Sequence, residues 1–293
     1  MFTFSPIGKQ VKSKKRNDVM YKKWNRLILI SVMAAVLVGG CRTQEAAQVN
    51  EKTIKLFNGK DLGNFYTFLK GRGRDNDPNK VFTVKDGMIR ISGDEFGCIT
   101  TKQSYENYHL IAEFKWGEHT SGTRIDKARD SGILLNSVGE DGAHGGIWMR
   151  SIEAQMIEGG TGDFIVIGDG SDKFFMTAPV SAEKVDSSYQ YNPNGKLATI
   201  HGAGTDIWRI NWQYRDTNWK DVKGFRGKND VEKPAGQWNR YECIVKGQTI
   251  QLILNGVTVN RCVDVWPRSG KIQIQSEYAE VFFRRFDLIP LEE

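Results

Sequence analysis

The 293-residue chain is predicted to fold as an all-β protein, a β-sandwich, and three observations carry that prediction. From Thr53 onward, apolar and polar residues alternate with a period of two, the repeat of a strand with one buried face. Pairs of alternating runs are joined by Asp-Gly and Asn-Gly, the dipeptides of tight hairpins. No long stretch has the 3.6-residue repeat of an amphipathic helix.

The elements follow in order. Val81–Val84 and Met88–Ile91 flank Asp86-Gly87 as a first hairpin. Leu110, Ala112, Phe114 and Trp116 alternate with His109, Ile111, Glu113 and Lys115, giving a strand with one apolar face. Arg150–Glu158 alternates in the same way and places Glu153, Gln155 and Ile157 on one face. Glu158 falls on the opposite face unless a β-bulge after Gln155 shifts the phase. Asp216–Pro234 is charged and helix-poor and reads as a loop rather than a domain boundary. Thr249–Leu254 and Val257–Arg261 flank Asn255-Gly256, the strongest hairpin signal, and Lys271–Gln275 and Val281–Leu288 supply the closing strands. No internal repeat or linker divides 54–291, so one domain is expected there.

Composition excludes whole classes. With 39% apolar and 26% charged residues, the chain is neither disordered, collagen-like nor a disulfide scaffold. The net charge of +6 is not a nucleic-acid footprint. Residues 1–40 hold eight basic side chains against Asp18 alone, which leaves the remainder close to neutral. That basic stretch precedes an apolar run, Leu27–Val38, too short for a bilayer and suited to a secretory signal. Val38-Gly39-Gly40-Cys41 resembles a bacterial lipobox, in which the cysteine is lipidated. Residues 1–40 are therefore expected to be a signal peptide, with Met20 an alternative start. Cys41 is expected to anchor the protein to the membrane of a bacterial cell envelope, and 41–53 to be a tether. Cys98, Cys243 and Cys262 show no Cys-x-x-Cys spacing and imply no zinc or redox chemistry. Cys243 and Cys262 are read as buried free thiols, with a bridge between them the alternative.

The chain lacks a Walker loop, Gly-x-Gly-x-x-Gly, His-Glu-x-x-His and Gly-x-Ser-x-Gly, so nucleotide, zincin and α/β-hydrolase chemistries lose their signatures. The remaining candidates lie in and around 129–158. Strand carboxylates and amides near flat apolar rings suit sugars, which offer hydroxyl rims and C–H faces. Glu153, Glu158 and His144 are the candidate catalytic groups. Trp148, Arg150 and Gln155 are the candidate substrate contacts in this stretch, and the family resemblance described next adds Asp130, Gln275 and Glu277. His201 reads as a loop hydrogen-bonder, and His109 and His119 as surface residues. Asp130, Asp141, Glu153 and Glu158 offer oxygen ligands for Ca²⁺, but their spacing matches no known loop. No metal or other cofactor is expected.

Six segments carry a family resemblance: Leu56-Phe57-Asn58-Gly59-Lys60-Asp61-Leu62, Val84-Lys85-Asp86-Gly87-Met88-Ile89, Arg129-Asp130-Ser131-Gly132-Ile133-Leu134-Leu135, Glu153-Ala154-Gln155-Met156-Ile157-Glu158, Gly236-Gln237-Trp238-Asn239 and Gly270-Lys271-Ile272-Gln273-Ile274-Gln275. In order and spacing they resemble the 3-keto-disaccharide hydrolase family over about 55–291. The resemblance implies a concanavalin A-like jelly roll and an enzyme acting on 3-keto-glycosides by acid–base elimination and hydration, with a carbohydrate as partner. The family often has Asp where this chain has Glu158, and His where it has Ser276-Glu277. Two other functions stay open. One is a retaining glycosidase using Glu153 and Glu158, since Glu-x-Gln-x-x-Glu is similar to the Glu-x-Asp-x-x-Glu of laminarinase-like enzymes. The other is a lectin-like module without chemistry.

Overall fold

The computed structural model describes residues 53–185, 187–202 and 208–292, so the expected signal peptide, Met20, Cys41 and nearly all of the tether lie outside the described residues. Two large sheets, antiparallel except where Tyr189–Gln190 runs parallel to Arg209–Asn211 at one edge, stack through their apolar faces. The first runs, in spatial order, Val257–Cys262, Thr249–Leu254, Asn239–Lys246, Tyr108–Thr120, Ala279–Pro290, Met88–Ile91 and Phe82–Lys85. In the second, Phe164–Ile167, Arg150–Ile157, Asp130–Val138, Lys271–Ser276 and Gly97–Thr101 form the centre. Arg209–Asn211 continues it beyond Phe164–Ile167, and Phe65–Leu69 beyond Gly97–Thr101. A small third sheet joins Lys196–His201, Phe175–Val180 and Asp264–Trp266. Among the described residues the only helical turn is the 3₁₀ segment Gly122–Arg124. The architecture is the all-β jelly-roll sandwich that the sequence predicts.

Both hairpins form where expected. Asp86 and Gly87, and Asn255 and Gly256, all take positive φ, as a two-residue hairpin turn with the native strand twist requires. Alternation assigns the faces. Leu110, Ala112, Phe114 and Trp116 enter the core with Tyr241, Phe283 and Phe286. Phe114 packs against Trp116 and Phe283 with ring centroids 5.7 and 6.2 Å apart. Across the core the second sheet contributes Ile133, Leu135, Ile152, Ala154, Met156, Phe164, Val166 and Ile274. The residues between these point to the outer face of that sheet, and the site is built there.

Cys98, Cys243 and Cys262 are buried free thiols, which settles the alternatives left by their spacing. The segment 216–234 is irregular, as expected of a loop, and packs onto the end of the Arg150–Ile157 strand. There the indole of Trp219 donates to the Glu158 carbonyl at 2.9 Å. Phe283→Ala, which empties a ring site between the sheets, is expected to cost about 3–5 kcal/mol in denaturant unfolding.

Candidate functional site

The strand Arg150–Ile157 keeps a continuous register with both neighbours from Ile152 to Ala154 and, on one side, on to Ile157. No bulge follows Gln155; the irregularity in this pairing lies between Leu135 and Val138. Glu153 therefore stands on the outer face directly between Leu134 on one neighbouring strand and Ile165 on the other. Leu134 and Ile165 belong to an apolar cluster with Cys98, Ile147, Trp148 and Ile167, roofed by the 139–149 loop. Only 3% of Glu153 is exposed. Burial, then the nearby Asp130 carboxyl, pushes its pKa up to about 8, while Arg209 and a hydrogen bond from Gln275 pull the other way.

Gly132 makes the approach of Glu153 and Gln275 geometrically feasible. A Cβ there would lie 2.3 Å from an oxygen of each side chain, so any larger residue would drive them apart. Gln275 Oε1 is buried and lacks a hydrogen-bond partner. Asp130 opens the same strand as Gly132, and Glu277 follows the strand Lys271–Ser276 on its other side. These two carboxyls share a hydrogen bond in which Glu277 is the donor. Burial, followed by the Asp130 and Glu153 charges, holds the Glu277 carboxyl well above the usual range. Burial also lifts Asp130, but only to about 6, because Arg124 and Arg209 favour its ionised form. Arg124 Nη2 lies 3.5 Å from Asp130 and is also paired with Asp221. Three carboxyls from three adjacent strands or their ends thus titrate as one coupled group.

The other expected site residues sit elsewhere. Glu158 is committed: Oε1 accepts from Arg129 Nη1 at 2.6 Å, and Oε2 from the backbone N–H groups of Arg129 and Gly224 at 3.0 and 2.8 Å. Glu158 lies just beyond the strand and out of phase with Glu153, and with both oxygens taken it is not brought into the Glu153 group. His144 and Arg150 both direct donors at the Gly168 carbonyl, His144 through Nδ1 at 3.1 Å, and so close the loop over the sheet. Trp148 is buried in the apolar cluster, edge-on to Phe96 at 6.4 Å, and reaches the site only through the Leu134 and Ile165 it covers. Gln155 shares the Glu153 face, but its Oε1 accepts from the Met156 N–H. Asp141 binds the Tyr66 hydroxyl and Arg74. Among the described residues no group of three or more His, Cys, Asp or Glu is placed to hold a metal ion, and the four oxygen donors considered for Ca²⁺ are divided among different partners. His109 and His119 pair with Glu242 and Asp94 near the surface.

Sequence reasoning missed Arg124 and Arg209. Arg209 lies across Ile165 from Glu153 in the strand register. Its only local mark is its place in Trp208-Arg209-Ile210-Asn211, a short alternating run with a basic residue on the polar face.

A β-sandwich with acids, amides and aromatic rings gathered on one sheet face defines a carbohydrate-directed protein, glycoside-cleaving or glycan-binding. The chain belongs to the 3-keto-alpha-glucoside-1,2-lyase-like domain family, whose model matches residues 52–289. No curated protein matches it. Among solved structures it is similar to two Parabacteroides distasonis proteins described as candidate glycosyl hydrolases. The first is 18% identical, with 85% of this chain and 98% of that one covered and a TM-score of 0.49. The second is 21% identical, with 82% and 100% covered and a TM-score of 0.45. A carbohydrate-binding module from Bacillus subtilis is 10% identical, with 68% and 85% covered and a TM-score of 0.38.

Because the unfolded chain releases the Glu153 proton near its ordinary 4.5 and the folded protein holds it to about 8, folding stability is expected to fall as pH rises between those values. Below 4.5 both states are protonated and the effect is absent. Thermal melts should therefore show wild type losing more Tm from pH 5 to pH 8 than Glu153→Gln, which cannot ionise.

Proposed function

We propose that the protein cleaves 3-keto-glycosides by acid–base elimination across C1–C2 followed by hydration, and that Asp130, Glu153 and Glu277 carry the chemistry. The supporting observation is that Asp130, Glu153 and Glu277 gather on one sheet face in an environment that sets their pKa values apart, Asp130 at about 6 and Glu153 at about 8, with burial holding Glu277 well above the usual carboxylate range. A ketone at C3 acidifies the C2 hydrogen. Asp130, ionised above about 6, is the general base that removes it, and Glu153, protonated below about 8, gives its proton to the departing glycosidic oxygen at C1. Glu277 holds Asp130 in place by donating a hydrogen bond to it, and the proton that Asp130 takes returns to C2 when water adds, while Glu153 regains its proton from that water. Gln275, whose carbonyl oxygen lacks a partner, accepts from a substrate hydroxyl. Water adding to the enone at C1 completes net hydrolysis. Glu158 stays a structural partner of Arg129 in this scheme.

The second part of the proposal places the protein in a bacterial cell envelope, lipid-anchored through Cys41; it rests on the lipobox-like ending of the apolar run. Among the described residues no helix is long and apolar enough to cross a membrane.

On a 3-keto-glucoside, kcat/KM is expected to be bell-shaped, rising through about pH 6 as Asp130 ionises and falling through about pH 8 as Glu153 loses its proton. Glu153→Gln should lower kcat by about 10²–10⁴-fold with the fold intact. Activity within about threefold of wild type would remove Glu153 from the chemistry, and inertness of the wild type toward both keto and ordinary glycosides would leave a glycan binder. Cys41→Ser should abolish incorporation of labelled fatty acid and release the protein from membranes; retained label would overturn the anchor.

A further inference from the structure

Beside the carboxyl cluster, on the same outer face, lies a cavity of about 240 Å³ whose walls include Gln190, Trp208, Arg209, Asn211, Arg215 and Trp219. At about 30 Å³ per molecule it has room for roughly eight waters, more than a single bridging solvent site needs. Arg209 pairs in register with Ile165, which itself pairs with Glu153, so its Cα is two strand spacings, about 10 Å, from that of Glu153.

The Arg209 side chain is 19% exposed, and its buried Nε has no hydrogen-bond partner. The nearest counter-charge, Asp163, is 3.7 Å away and already engaged by Arg215 and by the Trp212 N–H. Glu153 adds no compensating charge while it keeps its proton, and the Asp130 carboxylate is shared with Arg124. Asp216 also lines the cavity, but its two oxygens accept backbone N–H groups of Asn218 and Lys228 in its own loop. Both arginines are steadied by aromatic faces, Arg209 over Trp208 at 5.7 Å and Arg215 over Trp219 at 4.5 Å.

A guanidinium whose Nε is buried without a partner is costly unless something completes it. A neutral sugar hydroxyl would accept one N–H and leave the rest of the fork unused. A carboxylate matches the planar fork with two parallel hydrogen bonds and cancels the charge. Flanking indoles suit the C–H face of a pyranose ring.

We propose that this cavity is a subsite for a carboxylate-bearing sugar, a uronate-type residue, with Arg209 as the bidentate clamp that sets specificity. The assignment rests on the carbohydrate-directed reading of the neighbouring cluster, but its test does not require turnover. Glucuronate, glucose and glucose 6-phosphate are titrated into the full-length protein, with indole fluorescence and calorimetry as readouts. Glucuronate is expected to bind at least tenfold more tightly than glucose. Arg209→Gln should erase that preference, and Arg209→Lys, which keeps charge but not the fork, should lose most of it. Trp208→Ala, at an exposed position, should weaken both neutral and acidic sugars. Equal affinity for glucose and glucuronate, no glucuronate binding, unchanged glucuronate affinity in Arg209→Gln, or preference for glucose 6-phosphate each overturns the proposal. Arg209-dependent glucuronate binding without cleavage of any 3-keto-glycoside would overturn the catalytic reading and leave the subsite standing. Cleavage without acid preference would do the reverse.

Discussion

Three carboxyl groups crowded onto one sheet face, with Leu134 and Ile165 shutting water away from the central one, form the constraint around which the rest of the site is arranged. Like charges this close and this dry cannot all ionise, so protons are retained where water would have removed them. Such a cluster weakens the fold near neutral pH, and the protein bears that cost with a sandwich core that is apolar and continuous. Gly132 contributes by absence, leaving the space in which Glu153 and Gln275 meet.

Perturbed acidity alone does not mark the site. Glu232 is also buried and pushed up to about 8, by burial first and then by Asp230. Yet its oxygens receive the Trp116 indole N–H at 2.5 Å and the Thr161 hydroxyl at 3.0 Å. Glu158 is likewise saturated by Arg129 and Gly224. What separates the Asp130, Glu153 and Glu277 group from these two is unmet hydrogen-bonding capacity nearby: Gln275 Oε1 and Arg209 Nε lack protein partners. Polar atoms left unsatisfied in an otherwise well-bonded protein are the places where a ligand has something to add.

Much of this was legible in the sequence because strand alternation and hairpin chemistry are local. The period of two put Glu153 and Gln155 on one face and Ile152, Ala154 and Met156 on the other, and Asp-Gly and Asn-Gly located two turns that formed as expected. Asp130 and Gln275 were recognisable as polar groups within shared motifs, and Glu277 as a departure just past the last of them. Their meeting was not, because it depends on which strands become neighbours: Lys271–Ser276 lies beside Asp130–Val138 although more than a hundred residues separate them.

The sequence by itself determined the fold class, the two hairpins and the face on which Glu153 stands, since each follows from contacts or patterns a few residues long. Tertiary structure alone decided that Glu158 belongs to Arg129, that His144 and Arg150 close a loop on Gly168, and that Arg209 faces a cavity beside the acids. Those outcomes follow from cross-strand register and from the packing of 139–149 and 216–234 over the sheet. A shift of one residue would send every one of these side chains to the other face.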